Sequence, residues 1–513
     1  MNGAEALLES AVRAGVDLCL ANPGTTEMPL VAALDSQRGM RSVLGLFEGV
    51  CTGAADGFAR MAGRPALTLL HLGPGLANGI ANLHNARRAR SPVLNLVGDQ
   101  ASWHRSWDAP LSSDIEGLAR PVSGWVRATR CADELAGDFA RALAAAEGPP
   151  GQVATLVVPA DCQWEEAPSG PAARPKARAP ERVADERVSN AAVRLRGARA
   201  ALLLGGDALR APGLRAAARV AAATGATLFC ETFPARVERG AGLPSLTRLA
   251  YFPEQASEAL APFERVLLVG CHEPVAFFGY PKGSSRLAPA GSLLALSRPG
   301  EDAAQALEAL ADSLGAPPRA PAAATPERPG NPTGRLDPGT LGAVVAARQP
   351  EGAVIIDEGA TSSGPWWALA EAAPPHSTLT LTGGAIGQGP PCATGAALAC
   401  PDRPVIALQA DGSGLYTLQA LWTQAREGLH VVTVLCANRR YRILQIELAR
   451  AGIAEPGPTA GSLTDLSHPD IDWVSLARGF GVAGTRVETA EELDRALGRA
   501  LSEPGPHLIE ALL

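Results

Sequence analysis

Lysine is almost missing from this sequence. It occurs at Lys176 and Lys282 alone, and arginine supplies the rest of the positive charge. A Schiff-base mechanism therefore has two candidates at most, and Lys176 sits in a stretch that reads as linker. Cysteine is scattered, with nine residues and no C-x-x-C pair. That excludes a disulfide or zinc framework and fits reduced, mostly buried thiols of a cytoplasmic protein. The N-terminus lacks the basic-then-apolar pattern of a signal peptide. Apolar runs such as 201–204 and 431–436 are too short to span a bilayer. No well-formed G-x-G-x-x-G with a ribose-binding acid follows the first strand, which argues against a dinucleotide-binding dehydrogenase. Basic residues are not in excess either: 45 against 52 acidic leave a net charge of −7. That balance argues against a nucleic-acid or anionic-membrane partner.

What is present is ample core material. Of 513 residues, 46% are hydrophobic and 19% charged, enough for two to four domains and incompatible with global disorder. Residues 165–188 and 313–336 are rich in Pro, Ala and charge and read as linkers. They divide the chain into blocks of roughly 1–165, 188–312 and 337–513. Asn2 and Glu5 can form a capping box ahead of a helix with Leu7, Leu8, Ala11 and Val12 on one face. Short β-rich runs follow at Ala66–Leu70, Val93–Val97, Ala154–Val158, Ala201–Leu204, Arg265–Val269, Ala353–Ile356, Val405–Leu408, Val431–Leu435 and His507–Ala511. Helix-length segments separate them, which predicts buried parallel strands with crossover helices. The fold class expected is α/β, with three doubly wound parallel-sheet domains whose ligands bind beyond the carboxyl ends of the strands.

The chemistry-bearing residues fall at such strand ends. Val405–Leu408 runs into Gln409-Ala410-Asp411-Gly412-Ser413, and Val431–Leu435 runs into Cys436-Ala437-Asn438, with Arg440 and Tyr441 after it. Asp411 and Asn438 are thus 27 positions apart, each just past a strand. One helix between adjacent parallel strands would bring them together. The Asp411 carboxylate, the Asn438 amide oxygen and a turn carbonyl near Arg440 form an oxygen donor set that suits Mg²⁺ beside a diphosphate. Gly412 and Ser413 open a helix whose amides suit a phosphate. The plain alternative is an αβ turn with Asp411 as a helix cap.

This segment resembles the GDG–(spacer)–NN diphosphate motif of the thiamine diphosphate-dependent enzymes, with Ala410 and Ala437 replacing the first Gly and the first Asn. Neither replacement removes a ligand. Thr382 to Gly389, through Gly384 and Ile386, is similar to the loop that passes under the cofactor, and Ile386 matches the residue that wedges its two rings into a V. Asp357 to Ser362 resembles the strand-end loop that touches the diphosphate through Thr361. In the first block, the turn Asn22-Pro23-Gly24-Thr25, the segment Leu46 to Arg60 and the segment Leu70 to Gly79 resemble the pyrimidine-binding (PYR) domain of the acetolactate synthase and benzoylformate decarboxylase branch. The resemblance implies that block two is the central domain and block three the diphosphate-binding (PP) domain.

The resemblance makes Glu48 the activating carboxylate, held to the cofactor's pyrimidine. Its stretch is otherwise apolar, so burying a bare carboxylate there would cost several kcal/mol without a partner. The alternative is an exposed helix start favoured by the dipole. Thr25 matches a hydroxyl residue near the substrate carboxylate, or caps a helix. Gly73 and Gly75 allow close backbone approach to the cofactor, and the resemblance adds Pro23 and Gly24 as cofactor contacts. His71 either relays protons or packs at a strand end.

Departures are equally specific. An ungapped alignment puts the two active-site histidines of benzoylformate decarboxylases at Leu69 and about Gly279, which tilts the expectation from aldehyde release toward carboligation. The Phe-Gln-Glu element of acetolactate synthases is absent from Trp107–Ile115, where His104 and Asp108 could substitute or simply be loop surface. Leu111, Ile443 and Leu444 are expected to line the substrate pocket, with Glu447 either a polar wall or solvent-facing. The implied reaction is decarboxylation and carboligation of a 2-oxo acid by an acetolactate synthase-like transferase. The alternatives are a decarboxylase (lyase) of the benzoylformate type and a flavin-linked oxidase. Thiamine diphosphate and Mg²⁺ are the implied cofactors; FAD is possible but not favoured. The implied assembly is a homodimer or homotetramer with active sites between subunits. A vestigial binding protein is disfavoured, because Glu48, Asp411 and Asn438 are all kept.

Overall fold

The computed structural model describes residues 1–281, 283–320 and 327–513; Lys282 lies outside them. It is an α/β protein with three parallel-dominated sheets. The first sheet contains β1 (Leu18–Asn22), β2 (Arg41–Leu44), β3 (Ala66–Leu70), β4 (Val93–Asp99), β5 (Trp125–Ala128) and β6 (Val153–Pro159), in the order β2-β1-β3-β4-β6-β5, all parallel. β3, β4 and β6 are buried along their whole length, as strands covered by helices on both faces must be. Three buried polar side chains cross these strands without cost to satisfaction. Thr68 Oγ1 donates to Asn95 Oδ1 at 2.7 Å, and Asn95 Nδ2 donates to Thr155 Oγ1 at 2.9 Å. The first helix, Gly3–Arg13, starts with the expected Asn2/Glu5 capping box and buries Leu7, Leu8 and Ala11.

The second sheet is built from β7 (Ala200–Leu204), β8 (Thr227–Cys230), β10 (Thr247–Arg248), β11 (Arg265–Val269) and β12 (Leu293–Ser297), ordered β10-β8-β7-β11-β12; β9 (Val237–Arg239) precedes β10 in the chain. The remaining strands are β13 (Val354–Glu358), β14 (His376–Thr380), β15 (Val405–Ala410), β16 (Val431–Ala437), β17 (Ala483–Val487) and β18 (His507–Leu512). β17-β18-β16-β15-β13 run side by side in parallel, while β14 pairs antiparallel with β9. The chain forms two compact units. One comprises Met1–Ala177, Arg328–Ala370 and Leu381–Leu513; the other comprises Arg178–Glu327 and Glu371–Thr380. The first and third blocks thus share a unit.

Within that unit the helices Glu48–Ala62 and Gly389–Ala399 pack at minimal separation because glycine lines the contact. A Cβ on Gly395 would stand 1.8 Å from the Ala54 carbonyl oxygen, and one on Gly57 would stand 2.2 Å from that of Cys392. Under this contact lies a buried bidentate pair, Arg60 with Asp56 at 2.8 and 2.6 Å. Ser91 Oγ at 2.5 Å and Gln388 Nε2 at 3.1 Å donate further to Asp56, so the burial leaves neither charge bare. All nine cysteines are free, and burial pushes the thiols of Cys19, Cys230, Cys392 and Cys436 up to about 12, which keeps them inert. Among the described residues no helix is long and apolar enough to cross a membrane.

Candidate active site

Parallel strands put their following loops at one end of a sheet. In the first sheet these loops are Pro23–Glu27 after β1, Gly45–Glu48 after β2, His71–Gly75 after β3 and 100–114 after β4. Glu48 is the first residue of its helix, as an exposed helix start would be, yet it is buried. Asn78 Nδ2 donates to its Oε2 at 2.9 Å. No described residue donates to Oε1, and that oxygen lies 3.0 Å from where a Gly75 Cβ would be. Gly75 therefore leaves room beside the carboxylate that any other residue would fill. The helix start is pinned by Asn82 Nδ2 to the Gly49 carbonyl (2.8 Å) and Thr52 Oγ1 to the Gly79 carbonyl (3.0 Å).

His71 sits one residue past β3, its ring 22% exposed. Its Nδ1 lies 2.8 Å from Glu27 Oε2, and Thr26 Oγ1 is 3.4 Å away. Glu27 is fully buried and also accepts from the Gly24 amide at 2.7 Å. Sequence reading missed Glu27. The signal was there: an acid three positions after Gly24, the spacing at which a side chain reaches back to the turn's first amide. Thr25 is exposed and its hydroxyl has no partner among the described residues; Gly24, not Thr25, occupies the cap position. Gly73 abuts Ser113 Oγ, 1.8 Å from where its Cβ would be.

The comparison built on Leu69 needs correction. Leu69 is buried inside β3 and packs in the first sheet's core, so a side chain there faces no site. The strand-end position belongs to His71, so of the two positions behind the tilt toward carboligation Leu69 gives no support, and Gly279 alone is left. Leu111 is 48% exposed, on the loop that also exposes Trp103 and Trp107. In this loop His104 is half-buried with its ring edge-on to Trp103, and Asp108 is exposed.

In the third sheet, β15 and β16 pair in register to Ala410 and Cys436, which sets Asp411 and Asn438 side by side. Asp411 Oδ2 accepts from the Arg439 amide at 2.6 Å, and Oδ1 accepts from its neighbour Gly412 at 2.8 Å. Burial raises the Asp411 pKa, opposed by these amides and that of Asn438. Asn438 Oδ1 accepts from the Arg440 amide at 3.1 Å, and the Arg440 carbonyl accepts from Arg442 at 3.0 Å, with its second lone pair to spare. These are oxygen donors, and a hard cation fits them; among the described residues no three acidic, His or Cys side chains are placed to hold a metal ion together, so the set depends on amide and carbonyl oxygens. Tyr441 lies over Gly412, whose Cβ would be 2.4 Å from the ring. Ser413 is buried and takes a bond from Gln409 Nε2 at 2.6 Å.

The glycine-rich loop carries positive φ at Gly384 (75°) and Gly387 (92°). Asn85 strapped to Ala385 at 2.8 and 3.2 Å, and His84 to the Gly383 carbonyl at 3.1 Å, tie it to the helix Leu72–Ala89. Beneath it Glu358, a second acid missed in the sequence, accepts from the amides of Gly387 (2.6 Å) and Gly389. Burial raises its pKa to about 7, against the pull of those amides and Gln409. Ile386 and Thr361 are half-buried. Ile443 and Glu447 are half-buried and Leu444 is 47% exposed; the helix Arg442–Arg450 buries no residue in the single chain. Glu447 pairs with Arg450 at 3.6 Å. Positive φ at the non-glycine residues Leu72, Ala360 and Arg439 falls just past β3, β13 and β16, three of the strand ends that bear the motifs.

Fold and site together define an enzyme that uses thiamine diphosphate. Residues 1–118 match the family "Thiamine pyrophosphate enzyme, N-terminal TPP binding domain", and residues 359–511 match its C-terminal counterpart. The chain belongs to the thiamine pyrophosphate enzyme family. It is 51% identical, over 100% of its length and 99% of the relative's, to the protein named "Putative acetolactate synthase large subunit IlvX" of Mycobacterium tuberculosis. It is 32% identical, over 97% of its length and 96% of the relative's, to benzoylformate decarboxylase of Pseudomonas aeruginosa. The solved 4-hydroxybenzoylformate decarboxylase of Rhodococcus jostii superposes with a TM-score of 0.87 at 27% identity, covering 100% of this chain and 99% of that one.

Proposed function

We propose that this chain decarboxylates a small 2-oxo acid and releases an aldehyde, with His71 handling the proton of the final step. The observation that carries this reading is a pair of buried-edge groups at one end of the first sheet: Glu48 Oε1 and His71 Nε2, both without a partner among the described residues. Bound thiamine diphosphate would supply the nucleophilic carbon and the electron sink for loss of CO₂. Glu48 would hold a pyrimidine ring nitrogen through Oε1, while Asn78 fixes the carboxylate's other oxygen. Asp411, Asn438 and the Arg440 carbonyl would hold Mg²⁺. Gly412, Ser413, Thr361 and Tyr441 would surround the diphosphate, and Pro23, Gly24, Gly73, Gly384 and Ile386 the rings. Thr25, Leu111, Ile443, Leu444 and Glu447 would face the substrate. No step uses FAD.

A second reading, transfer of the decarboxylated acyl unit to another carbonyl compound, is favoured by the 51% identity to the protein named as an acetolactate synthase subunit. Domains are proposed at 1–165, 188–312 and 337–513. The unburied helix Arg442–Arg450, with Leu444 and Tyr416 exposed, supports a homo-oligomer whose sites lie between subunits. The nine free cysteines support a cytoplasmic location. The test is product analysis by mass spectrometry across a panel of 2-oxo acids, with and without added aldehydes, in the presence of cofactor and Mg²⁺. Aldehyde as the main product supports the first reading; an acyloin or a 2-hydroxy-2-oxo acid skeleton replaces it with the second. CO₂ release that is undiminished in Glu48→Gln would refute both.

A further inference from the structure

We propose that Glu27 is a positioning residue that fixes the tautomer and orientation of His71, presenting an unprotonated Nε2 to the site; this rests on the reading that His71 handles a proton. β1 and β3 are paired to Asn22 and Leu70, so the turn after one and the histidine after the other emerge together. Two glycines shape the space between them. A Cβ on Gly24 would stand 2.2 Å from His71 Nδ1, and a Cβ on Gly98 of β4 would stand 1.6 Å from Glu27 Oε1. Only without those carbons can the buried carboxylate reach the ring. Once there it is fully satisfied: the Gly24 amide at 2.7 Å and the His71 Nδ1 at 2.8 Å meet Oε2, and the Thr26 hydroxyl at 2.5 Å meets Oε1. An ionised carboxylate accepts and cannot donate. The nitrogen against it must therefore carry the ring proton, and in the neutral ring Nε2 is left with its lone pair. The carboxylate also steadies the ring when Nε2 takes a proton.

The substitutions separate positioning from mere structure. Glu27→Leu removes the acceptor at similar volume. Glu27→Gln keeps it, because the fixed Gly24 amide draws the side-chain oxygen to its side while the Thr26 hydroxyl turns to accept from the new NH₂. The readouts are magic-angle-spinning ¹⁵N NMR of ¹⁵N-histidine-labelled holoenzyme, with His71 assigned by its loss in His71→Ala, and kcat and KM for the 2-oxo acid. The expected wild-type signal is protonated Nδ1 with bare Nε2. Glu27→Leu should show protonated Nε2 and lose about 10²-fold or more in kcat, the scale of a misplaced tautomer, with cofactor KM within about twofold. Glu27→Gln should restore the wild-type tautomer and most of kcat. Should Glu27→Leu not fold, the wild-type and Gln spectra decide the matter. Protonated Nε2 in the wild type, or full kcat in Glu27→Leu, overturns the proposal. Full kcat in His71→Ala instead overturns the reading beneath it, whatever the tautomer.

Discussion

Glu358→Gln tests how burial governs the glycine-rich loop whose Gly387 and Gly389 amides donate to the Glu358 carboxyl. Glu358 is 4% exposed, and its carboxyl is raised from 4.5 to about 7, first by desolvation, against the Gly389 and Gly387 amides and Gln409. A carboxyl with a raised folded-state pKa holds a proton in the native protein that the unfolded chain has released. Its stabilising contribution is therefore fully present below 4.5 and is lost as pH rises through 7. At about 1.4 kcal/mol per pH unit, the rise amounts to about 3 kcal/mol. Gln carries no titrating proton and keeps the side-chain shape. Spread over a unit of roughly 350 residues, that energy corresponds to about 4 °C in Tm. The assay is differential scanning fluorimetry of both proteins from pH 5 to pH 8. Wild type minus variant should fall by about 3 °C across that window, most steeply between pH 5 and 6.5 and levelling off above 7. A difference that stays flat, or that grows with pH, would refute the assignment of burial as the dominant cause.

Glu48→Gln should leave cofactor binding by calorimetry intact while turnover falls by about 10²- to 10⁴-fold, the scale of a removed proton-transfer group. Asp411→Ala should abolish Mg²⁺-dependent uptake of thiamine diphosphate in the same calorimeter, since it takes away the carboxylate beside Asn438. Gly395→Ala drives a methyl into the Ala54 carbonyl; chemical denaturation should show a loss of about 1–3 kcal/mol or more, and a neutral result would mean the two helices can part freely. Asp56→Asn strands the buried Arg60 charge and should cost about 3–5 kcal/mol by the same measurement.

Much of the first and third sheets was legible as sequence. β3 and β11 run over the residues their apolar patterns marked, the runs beginning at 93, 154, 201, 405, 431 and 507 are strands extended by one or two residues, and that beginning at 353 is a strand shifted to Val354–Glu358. A continuous apolar run is a strong signal because a strand covered on both faces has no polar side. Strands with mixed composition were not seen: β14 is His376-Ser-Thr-Leu-Thr380 and wholly buried, and β17 is a polar-leaning edge. The burial of β14 comes from neighbours, which no local pattern reports. The acids divide the same way. Glu48 and Asp411 stood out within their motifs, whereas Glu27 meets the His71 ring and Glu358 the Gly387 and Gly389 amides, partners that only the folded chain brings near.

The sequence by itself determined the fold class and set Glu48, Asp411 and Asn438 just past strand ends, because periodicity and short-range spacing are properties of the chain alone. Tertiary structure decided which groups are left free to react. It buried Glu48 against Asn78 with one oxygen open, turned His71 onto Glu27, and moved the histidine comparison from the sealed position 69 to the strand end at 71. Burial and hydrogen-bond partnership are set by residues from other strands, and those become neighbours only when the sheets close.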